Sequence, residues 1–185
     1  MSKSEATSTV EELRARARKN LADGAMTPNY GGDVTTAIKM LNDALATELT
    51  CVLRYKFHYV AAQGLDSEAV KDEFLQHANE EQAHADRISE RINQLGGKAN
   101  FDPATFAARS ATEYREGENL VDMIKEDLIA ERIAVEHYRE LVRYFGEKDP
   151  STRRMLEDIL AQEEEHANDM HDLLVAHEGS PPLRK

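Results

Sequence analysis

Two copies of one short motif have the residue types and spacing of a metal site. Glu81–His84 and Glu163–His166 each carry a glutamate three residues before a histidine. On an α-helix such residues share a face, so the carboxylate and imidazole of each copy can bind the same ion. Glu48 and Glu131 lie among apolar residues of the sequence. Glu48 precedes the first copy, and Glu131 precedes the second by nearly the same number of residues. The pattern predicts two matching half-sites for metal ions.

Burial gives the chemical reason for a metal at these positions. A bare carboxylate in an apolar interior costs several kcal/mol or takes up a proton, and a bound cation removes that cost. Oxygen and nitrogen ligands suit iron or manganese better than they suit a structural zinc site, which favours thiolates. Two ions can be held by the predicted ligands Glu48, Glu81, His84, Glu131, Glu163 and His166.

A single Glu-x-x-His motif would be a weak signal in this chain. With 35 acidic residues, most such pairs belong to solvated helix faces. Glu80, Glu164 and Glu165 are expected to be solvent-facing residues of that kind. Two motifs with matched partner glutamates on other helices are a much stronger signal, since this arrangement is typical of di-iron carboxylate bundles.

Three residues near the predicted ligands have open roles. Tyr55, two helical turns after Glu48, either hydrogen-bonds a ligand or supplies an electron, or it is a buried tyrosine anchored by its hydroxyl. Cys51 lies either near the metals or in the core as a small buried thiol. His77, one turn before Glu81, is either an entry-site or transient metal ligand or a packed histidine. The remaining histidines lack comparable partners: His58, His137, His171 and His177.

Capping residues and glycines divide the chain into four long helical blocks. These blocks cover residues 33–63, 66–95, 119–145 and 150–178, and their bounds are marked by Asp33, Gly64, Asp66, Gly96, Asn119, Gly146, Asp149 and Gly179. Asp33, Asn119 and Asp149 are predicted N-caps, and Pro150 suits the first helical turn. Apolar residues recur every three or four positions within the blocks, for example Leu41, Leu45 and Leu49. The sequence therefore predicts an all-α four-helix bundle.

The connections predict how the four helices are joined. Short turns join the first block to the second and the third to the fourth, which makes each pair antiparallel. The link at residues 98–118 is much longer, as needed to cross the length of a bundle, and residues 104–111 in it are expected to form a short helix. The predicted division is an N-terminal extension at 1–32 with a short helix at 11–21, the bundle at 33–177, and a flexible tail at 178–185.

Composition excludes several classes of protein. The formal net charge is −12, which disfavours wholesale nucleic-acid binding. The basic residues at 14–19 are nearly balanced by nearby acids, so we expect DNA to be an unlikely partner and the extension to pack between subunits or to be a loose tail. No apolar stretch approaches the roughly 18 residues of a membrane span. The polar N-terminus and the single cysteine favour the cytoplasm.

These motifs resemble those of the bacterioferritins and their Dps-like relatives, members of the ferritin-like di-iron family. The resemblance covers residues 35–174 and includes the Glu48–Tyr55, Glu81–Ile88 and Glu163–His166 segments. It implies a ferritin-like bundle in which Glu81 and Glu163 bridge two irons. The terminal ligands would be Glu48, His84, Glu131 and His166. It also implies that Tyr55 is the tyrosine beside the di-iron centre.

Three departures from bacterioferritin refine the expectation. Gln82 stands where bacterioferritins carry a haem-ligating methionine, so no haem is predicted. A fifth C-terminal helix is not expected after Leu174, and the long link resembles the Dps-like branch. The last two departures favour a 12-subunit cage over a 24-subunit one.

The implied function is that of a ferroxidase that stores and detoxifies iron. Fe(II) would be oxidised at the di-iron site by O2 or H2O2, and Fe(III) would be stored in the cage. One alternative is a di-manganese catalase or another di-metal oxidase that stores nothing, because it would use the same ligands. A second alternative is a Dps-like DNA-binding protection protein.

Overall fold

A computed structural model describes residues 7–19, 21–64 and 67–178. Within these ranges every regular element is helical, in agreement with the predicted all-α class. The four long helices are α2, α3, α5 and α6, and two short ones, α1 and α4, precede α2 and α5. Their bounds are α1 Val10–Ala17, α2 Val34–Ala61, α3 Ser67–Gln94, α4 Phe106–Arg109, α5 Leu120–Phe145 and α6 Pro150–Glu178.

The predicted capping residues begin three of the long helices. The Asp33 carboxylate accepts a hydrogen bond from the Thr35 amide at 3.0 Å, and the Asn119 side chain accepts one from the Asp122 amide at 3.1 Å. Asp149 accepts one from the Thr152 amide at 2.9 Å. Each cap satisfies an amide that the first helical turn leaves without a partner, an interaction typically worth about 1 kcal/mol.

The long helices pack as two antiparallel hairpins, α2 with α3 and α5 with α6. The apolar side chains of the bundle form two separate clusters. One contains Leu41, Leu45, Ile88, Ile92, Leu141, Phe145, Leu156 and Ile159. The other contains Tyr55, Val70, Phe74, Met123, Ile124 and Met170. A layer of buried polar residues lies between them, so the apolar clusters hold the helices together above and below that layer.

The link between the hairpins runs along α2, as the sequence predicts. Near the start of α2, Asn42 bonds the backbone of Lys98 and Asn100 at 3.2 and 2.7 Å. Near its end, His58 bonds the Glu116 carbonyl at 3.0 Å. The predicted short helix is present but shorter than expected, because α4 ends at Arg109 after a 3-10 turn.

The described part of the N-terminal extension contacts the bundle. The helix expected at residues 11–21 is α1, which ends earlier, at Ala17. Met26 and Tyr30 pack against the first apolar cluster, and the Tyr30 hydroxyl donates to Asp149 at 2.9 Å. The predicted tail lies almost wholly outside the described residues, as do residues 1–6 of the extension and Asp66 at the predicted start of the second block. Among the described helices, none has both the length and the apolar character needed to cross a bilayer.

Candidate metal centre

All six predicted ligands lie together in the middle of the bundle. Each of the long helices contributes at least one of them, and every one of the six is at most 2% exposed. The ligand atoms form two groups of four, and within each group they lie no more than 4.8 Å apart. One group is Glu48, Glu81, His84 and Glu163, and the other is Glu81, Glu131, Glu163 and His166.

Glu81 and Glu163 belong to both groups, because each has one oxygen on either side. Glu81 Oε2 lies 3.2 Å from His84 Nδ1, while Glu81 Oε1 lies 3.2 Å from His166 Nδ1. Glu163 Oε1 and Oε2 lie 3.0 and 3.7 Å from the same two nitrogens. This placement matches the bridging role that the family resemblance implies for these two glutamates.

Several of the buried ligand atoms lack a hydrogen-bond partner within the described part of the chain. They are Glu48 Oε2, Glu81 Oε1, Glu131 Oε2, both carboxylate oxygens of Glu163, and His166 Nδ1. The five oxygens lie 3.0–3.9 Å from Nδ1 of His84 or His166 without forming a hydrogen bond with it. Buried polar atoms are rarely left without partners, and divalent cations would satisfy them. The donor set therefore fits two metal ions with oxygen and nitrogen ligands.

The surroundings of Glu48, Glu131 and Glu81 shift the pKa of each of these buried carboxylates. Burial raises the pKa of Glu48, and the charges of Glu81 and Glu163 raise it further. Glu131 has a raised pKa for the same reasons. Burial would raise the pKa of Glu81 as well, but contacts with His166 and His84 outweigh it and hold that pKa well below its ordinary value.

The two histidines carry the compensating positive charge. Burial alone would lower the pKa of His84, but the carboxylates of Glu163, Glu48 and Glu81 raise it far above its ordinary value. Burial opposes protonation of His166 in the same way, yet Glu163 and Glu81 raise the pKa of His166 to about 12. The raised pKa values favour a second proton on each imidazole, in competition with a metal ion for Nδ1.

The outer nitrogen of each histidine is fixed by a residue of the other hairpin. His84 Nε2 donates to Gln162 Oε1 at 2.9 Å, and His166 Nε2 donates to Glu80 Oε2 at 2.8 Å. Such a bond orients the ring and leaves Nδ1 directed at the centre, which is the usual arrangement of a metal-binding histidine. The expectation that Glu80 faces solvent is therefore wrong, because the packing of α3 against α6 brings it to His166.

Two tyrosines bond Glu131 and Glu48 reciprocally. The Tyr55 hydroxyl of α2 donates to Glu131 of α5, and the Tyr138 hydroxyl of α5 donates to Glu48 of α2. Of the two alternatives for Tyr55, the hydrogen bond to a predicted ligand is present. Sequence reasoning missed Tyr138, although it follows Glu131 at the same interval that separates Tyr55 from Glu48.

Cys51 and His58 belong to a different buried cluster. Cys51 Sγ lies 3.6 Å from Thr112 Oγ1 and 3.5 Å from Arg54 Nη2, and burial raises the pKa of its thiol. His58 Nδ1 lies 2.8 Å from Asp127 Oδ2, a partner that no sequence pattern around His58 indicates. Its partner is on α5, far away in the chain, and α2 alone carries no signal for it.

Comparison with known proteins agrees with this geometry. The Ferritin family model, described as a ferritin-like domain, matches residues 38–178. The chain belongs to the ferritin-like family. This confirms the family resemblance and the predicted ferritin-like bundle, and it agrees with the metal-binding character of the buried centre.

Relatives of this ferritin-like protein come from both branches that the sequence resembles. It is 33% identical over 147 residues to the DNA protection during starvation protein of Pyrococcus furiosus, an alignment that covers 78% of this chain and 80% of that protein. It is 29% identical over 132 residues to a bacterioferritin of Rhodobacter capsulatus, covering 71% and 78%.

A solved structure shows the same likeness. The dodecameric thioferritin of Bacteroides fragilis, a bacterioferritin-related protein, superposes with a TM-score of 0.77 at 31% identity. The match covers 80% of this chain and 89% of that one.

Proposed function

We propose that this protein is a ferroxidase that takes up Fe(II), oxidises it and stores the Fe(III) in a homo-oligomeric cage. The observation that carries the proposal is the pair of four-ligand groups sharing Glu81 and Glu163. Two Fe(II) ions held side by side can give up two electrons together, reducing O2 with two protons to H2O2, or H2O2 with two protons to water. Membership of a family with di-iron relatives supports iron over manganese.

Each part of the centre has a role in this chemistry. Glu81 and Glu163 would bridge the two irons, and Glu48, His84, Glu131 and His166 would complete the separate ligand sets. Because carboxylates hold Fe(III) more strongly than Fe(II), the four glutamates favour oxidation. Tyr55 and Tyr138 keep one oxygen of Glu131 and of Glu48 occupied, which turns the other oxygen toward the metals.

The finer expectations are also part of the proposal. A 12-subunit cage is favoured, supported by the dodecameric relative and by the long link along α2. We expect no haem, because Gln82 replaces the methionine and lies on the exposed face of α3. We place the protein in the cytoplasm, with residues 33–177 as the bundle and residues 1–32 as an extension that packs between subunits or forms a loose tail.

The test compares Fe(II) oxidation by wild-type protein with that by Glu81→Ala. The loss of a shared ligand should slow oxidation by about 100-fold or more, measured by absorbance after O2 or H2O2 is added to anaerobically loaded protein. Glu165→Ala is the matched control, since Glu165 is an exposed glutamate of α6. Equal rates in Glu81→Ala and wild type would rule the proposal out.

Two further measurements separate the rival functions. Rapid disproportionation of H2O2 by manganese-loaded protein without iron would indicate a di-manganese catalase instead. Particle mass before and after iron loading reports the number of subunits and whether mineral accumulates. A DNA mobility shift that is lost when residues 1–30 are removed would indicate the DNA-binding alternative.

A further inference from the structure

A second group of potential metal ligands lies next to the centre but outside its six residues. Glu73 and His77 of α3 meet Asp169 of α6. His77 Nε2 lies 3.4 Å from Glu73 Oε1 and 3.6 Å from Asp169 Oδ2, and the three ligand atoms all lie within 4.8 Å of one another. His77 is fully buried, whereas the Glu73 and Asp169 side chains are 31% and 49% exposed.

The hydrogen bonds of Tyr55 determine which nitrogen of His77 is free. The single hydroxyl proton of Tyr55 goes to Glu131, so Tyr55 can only accept at its contact with His77 Nδ1, 3.1 Å away. Nδ1 therefore carries a proton, and in the neutral ring Nε2 presents a lone pair. Among the described residues Nε2 has no hydrogen-bond partner, although the Glu73 and Asp169 carboxylates lie 3.4 and 3.6 Å away.

Three electron-pair donors thus converge on one point. A neutral imidazole nitrogen and two carboxylates repel one another unless a cation lies between them. One nitrogen and two oxygens are ligands that divalent iron, cobalt, manganese and zinc accept. The buried, partnerless nitrogen distinguishes this group from an ordinary exposed pair of acids.

The fold alone does not produce the group of Glu73, His77 and Asp169, because the corresponding positions relative to the other hairpin carry different residues. The two hairpins carry corresponding residues at the centre, where Glu81 matches Glu163 and Glu80 matches Gln162. At the same offsets from these glutamates, Met155, Ile159 and Arg87 replace Glu73, His77 and Asp169. Two apolar side chains and a cation cannot bind a metal ion. Within the described part of the chain, the additional ligands therefore occur only on the His166 side of the centre.

The group is also connected to the centre step by step. The His77 and His166 rings stack with their centroids 4.1 Å apart. His77, Glu80 and His166 form an overlapping group of potential ligands, and His166 belongs to the centre itself. The outer group therefore shares His77 with the overlapping group, and the overlapping group shares His166 with the centre. Together they lead from the partly exposed carboxylates to the buried centre.

We propose that Glu73, His77 and Asp169 form a third divalent-cation site, through which Fe(II) passes between solvent and the di-metal centre. The site collects the ion with two partly exposed carboxylates, and the His77 imidazole brings it beside His166. The binding part stands on the geometry of these three residues. The transfer part rests on the proposed ferroxidase function.

The binding part is tested with Co(II), under anaerobic conditions, on the full-length assembled protein. We expect Glu73→Gln/Asp169→Asn to bind about one Co(II) fewer per subunit than wild type. In crystals soaked with Co(II), the wild-type protein should show an anomalous peak between the three residues that the double variant lacks. Glu68→Gln/Asp172→Asn removes the same charges from the same two helices at exposed positions and should bind as wild type does.

Two outcomes overturn the binding part. One is an unchanged Co(II) stoichiometry in Glu73→Gln/Asp169→Asn, and the other is the absence of an anomalous peak at the wild-type site. Glu81→Ala separates this proposal from the ferroxidase proposal. It should lose Co(II) at the centre and keep the peak at Glu73, His77 and Asp169. Wild-type protein that shows this peak but does not oxidise Fe(II) would refute only the proposed function.

The transfer part is tested by the kinetics of Fe(II) oxidation. If the site supplies the centre, Glu73→Gln/Asp169→Asn should raise the apparent KM for Fe(II) about tenfold and leave kcat within about twofold of wild type. The exposed control pair should change neither constant. An unchanged KM would refute the role in transfer, whatever the Co(II) measurements show.

Discussion

The bundle buries two polar clusters whose hydrogen bonding is opposite in character. In the first, Arg54 Nε donates to Asp127 Oδ1 at 2.7 Å, and His58 Nδ1 contacts Asp127 Oδ2 at 2.8 Å. Arg54 Nη1 donates to the Glu113 carbonyl of the link, and His58 Nε2 bonds the Glu116 carbonyl. The second is the metal centre, where carboxylate oxygens of equal burial lack partners within the described residues.

This difference separates structural charge from charge kept for binding. In the first cluster, the polar groups of Arg54, Asp127 and His58 bond one another. Arg54 and His58 also bond the link, so the protein itself compensates the cost of burying these charges. The carboxylates of the centre repel one another and are only partly neutralised by His84 and His166. Functional sites commonly retain such unfavourable interactions at a cost in stability. The following predictions test this distinction, from the largest expected effect to the smallest.

The largest effect is expected from Asp127→Ala. The change leaves Arg54 and His58 buried without their shared carboxylate, and breaking a buried ion pair in this way costs about 3–5 kcal/mol. Denaturant unfolding of the metal-free protein measures the free energy of unfolding.

Asp158→Ala is the matched control, because Asp158 pairs with Arg87 at the surface and its side chain is 56% exposed. That variant should stay within about 0.5 kcal/mol of wild type. A similar small effect in Asp127→Ala would show that the Arg54 cluster does not contribute to stability as we infer.

The next largest effect is expected from Co(II) bound at the centre, which should stabilise the folded protein. Co(II) at 100 times its Kd should raise the free energy of unfolding by about 2.7 kcal/mol for each independent site, provided that it binds only the folded protein. Thermal unfolding under anaerobic conditions measures the shift. The shift should persist in Asp158→Ala and shrink strongly in Glu81→Ala. If Glu81→Ala gains as much stability as wild type, Co(II) must bind elsewhere.

The affinity for metal should weaken as the pH falls. Because the pKa of His166 is raised to about 12, its imidazole holds a proton at neutral pH, and that proton must leave before Nδ1 can bind metal. His84, Glu48 and Glu131 also have raised pKa values and act in the same direction. Each proton released lowers the affinity up to about tenfold per pH unit, or about 1.4 kcal/mol. Co(II) titrations at two pH values measure this, and equal affinities would contradict it.

Glu163→Gln should stabilise the metal-free protein. The change removes the charge of one of the four crowded carboxylates. Neither oxygen of the Glu163 carboxylate has a hydrogen-bond partner among the described residues. We expect a gain of about 1 kcal/mol in the free energy of unfolding, together with a loss of Fe(II) oxidation. Glu164→Gln, at the exposed neighbouring position, should change neither quantity appreciably. A loss of stability in Glu163→Gln would show that this carboxylate is already satisfied by the protein.

The smallest effects are expected from the tyrosines. Tyr55→Phe and Tyr138→Phe each remove one hydrogen bond to a buried glutamate, and each should cost about 1 kcal/mol. Tyr55→Phe should cost more than Tyr138→Phe, because it also leaves the buried His77 Nδ1 without its acceptor. Only Tyr55→Phe should also reduce Co(II) binding at Glu73, His77 and Asp169, since Tyr55 orients His77. Equal reduction in both variants would contradict that assignment.

Much of the molecule follows from the sequence, because the relevant rules are local. The helix ends follow from Asp33, Asn119 and Asp149, whose side chains bond amides only a few residues away. The six candidate ligands follow from the spacing within each Glu-x-x-His copy and from the repetition of the hairpin. The same repetition could have predicted Tyr138, because it follows Glu131 at the interval at which Tyr55 follows Glu48.

Other contacts depend on how the helices pack against one another, which helical periodicity within one segment does not determine. A helix with an exposed and a buried face predicts which residues turn inward, but not which residue of another helix each will meet. The bond of Glu80 to His166, the cluster of Arg54, Asp127 and His58, and the meeting of His77 with Asp169 all depend on the rotation and register of neighbouring helices. The sequence by itself determined the helices and the candidate ligands, and only the tertiary structure decided which buried charges are neutralised and which are left free to bind metal.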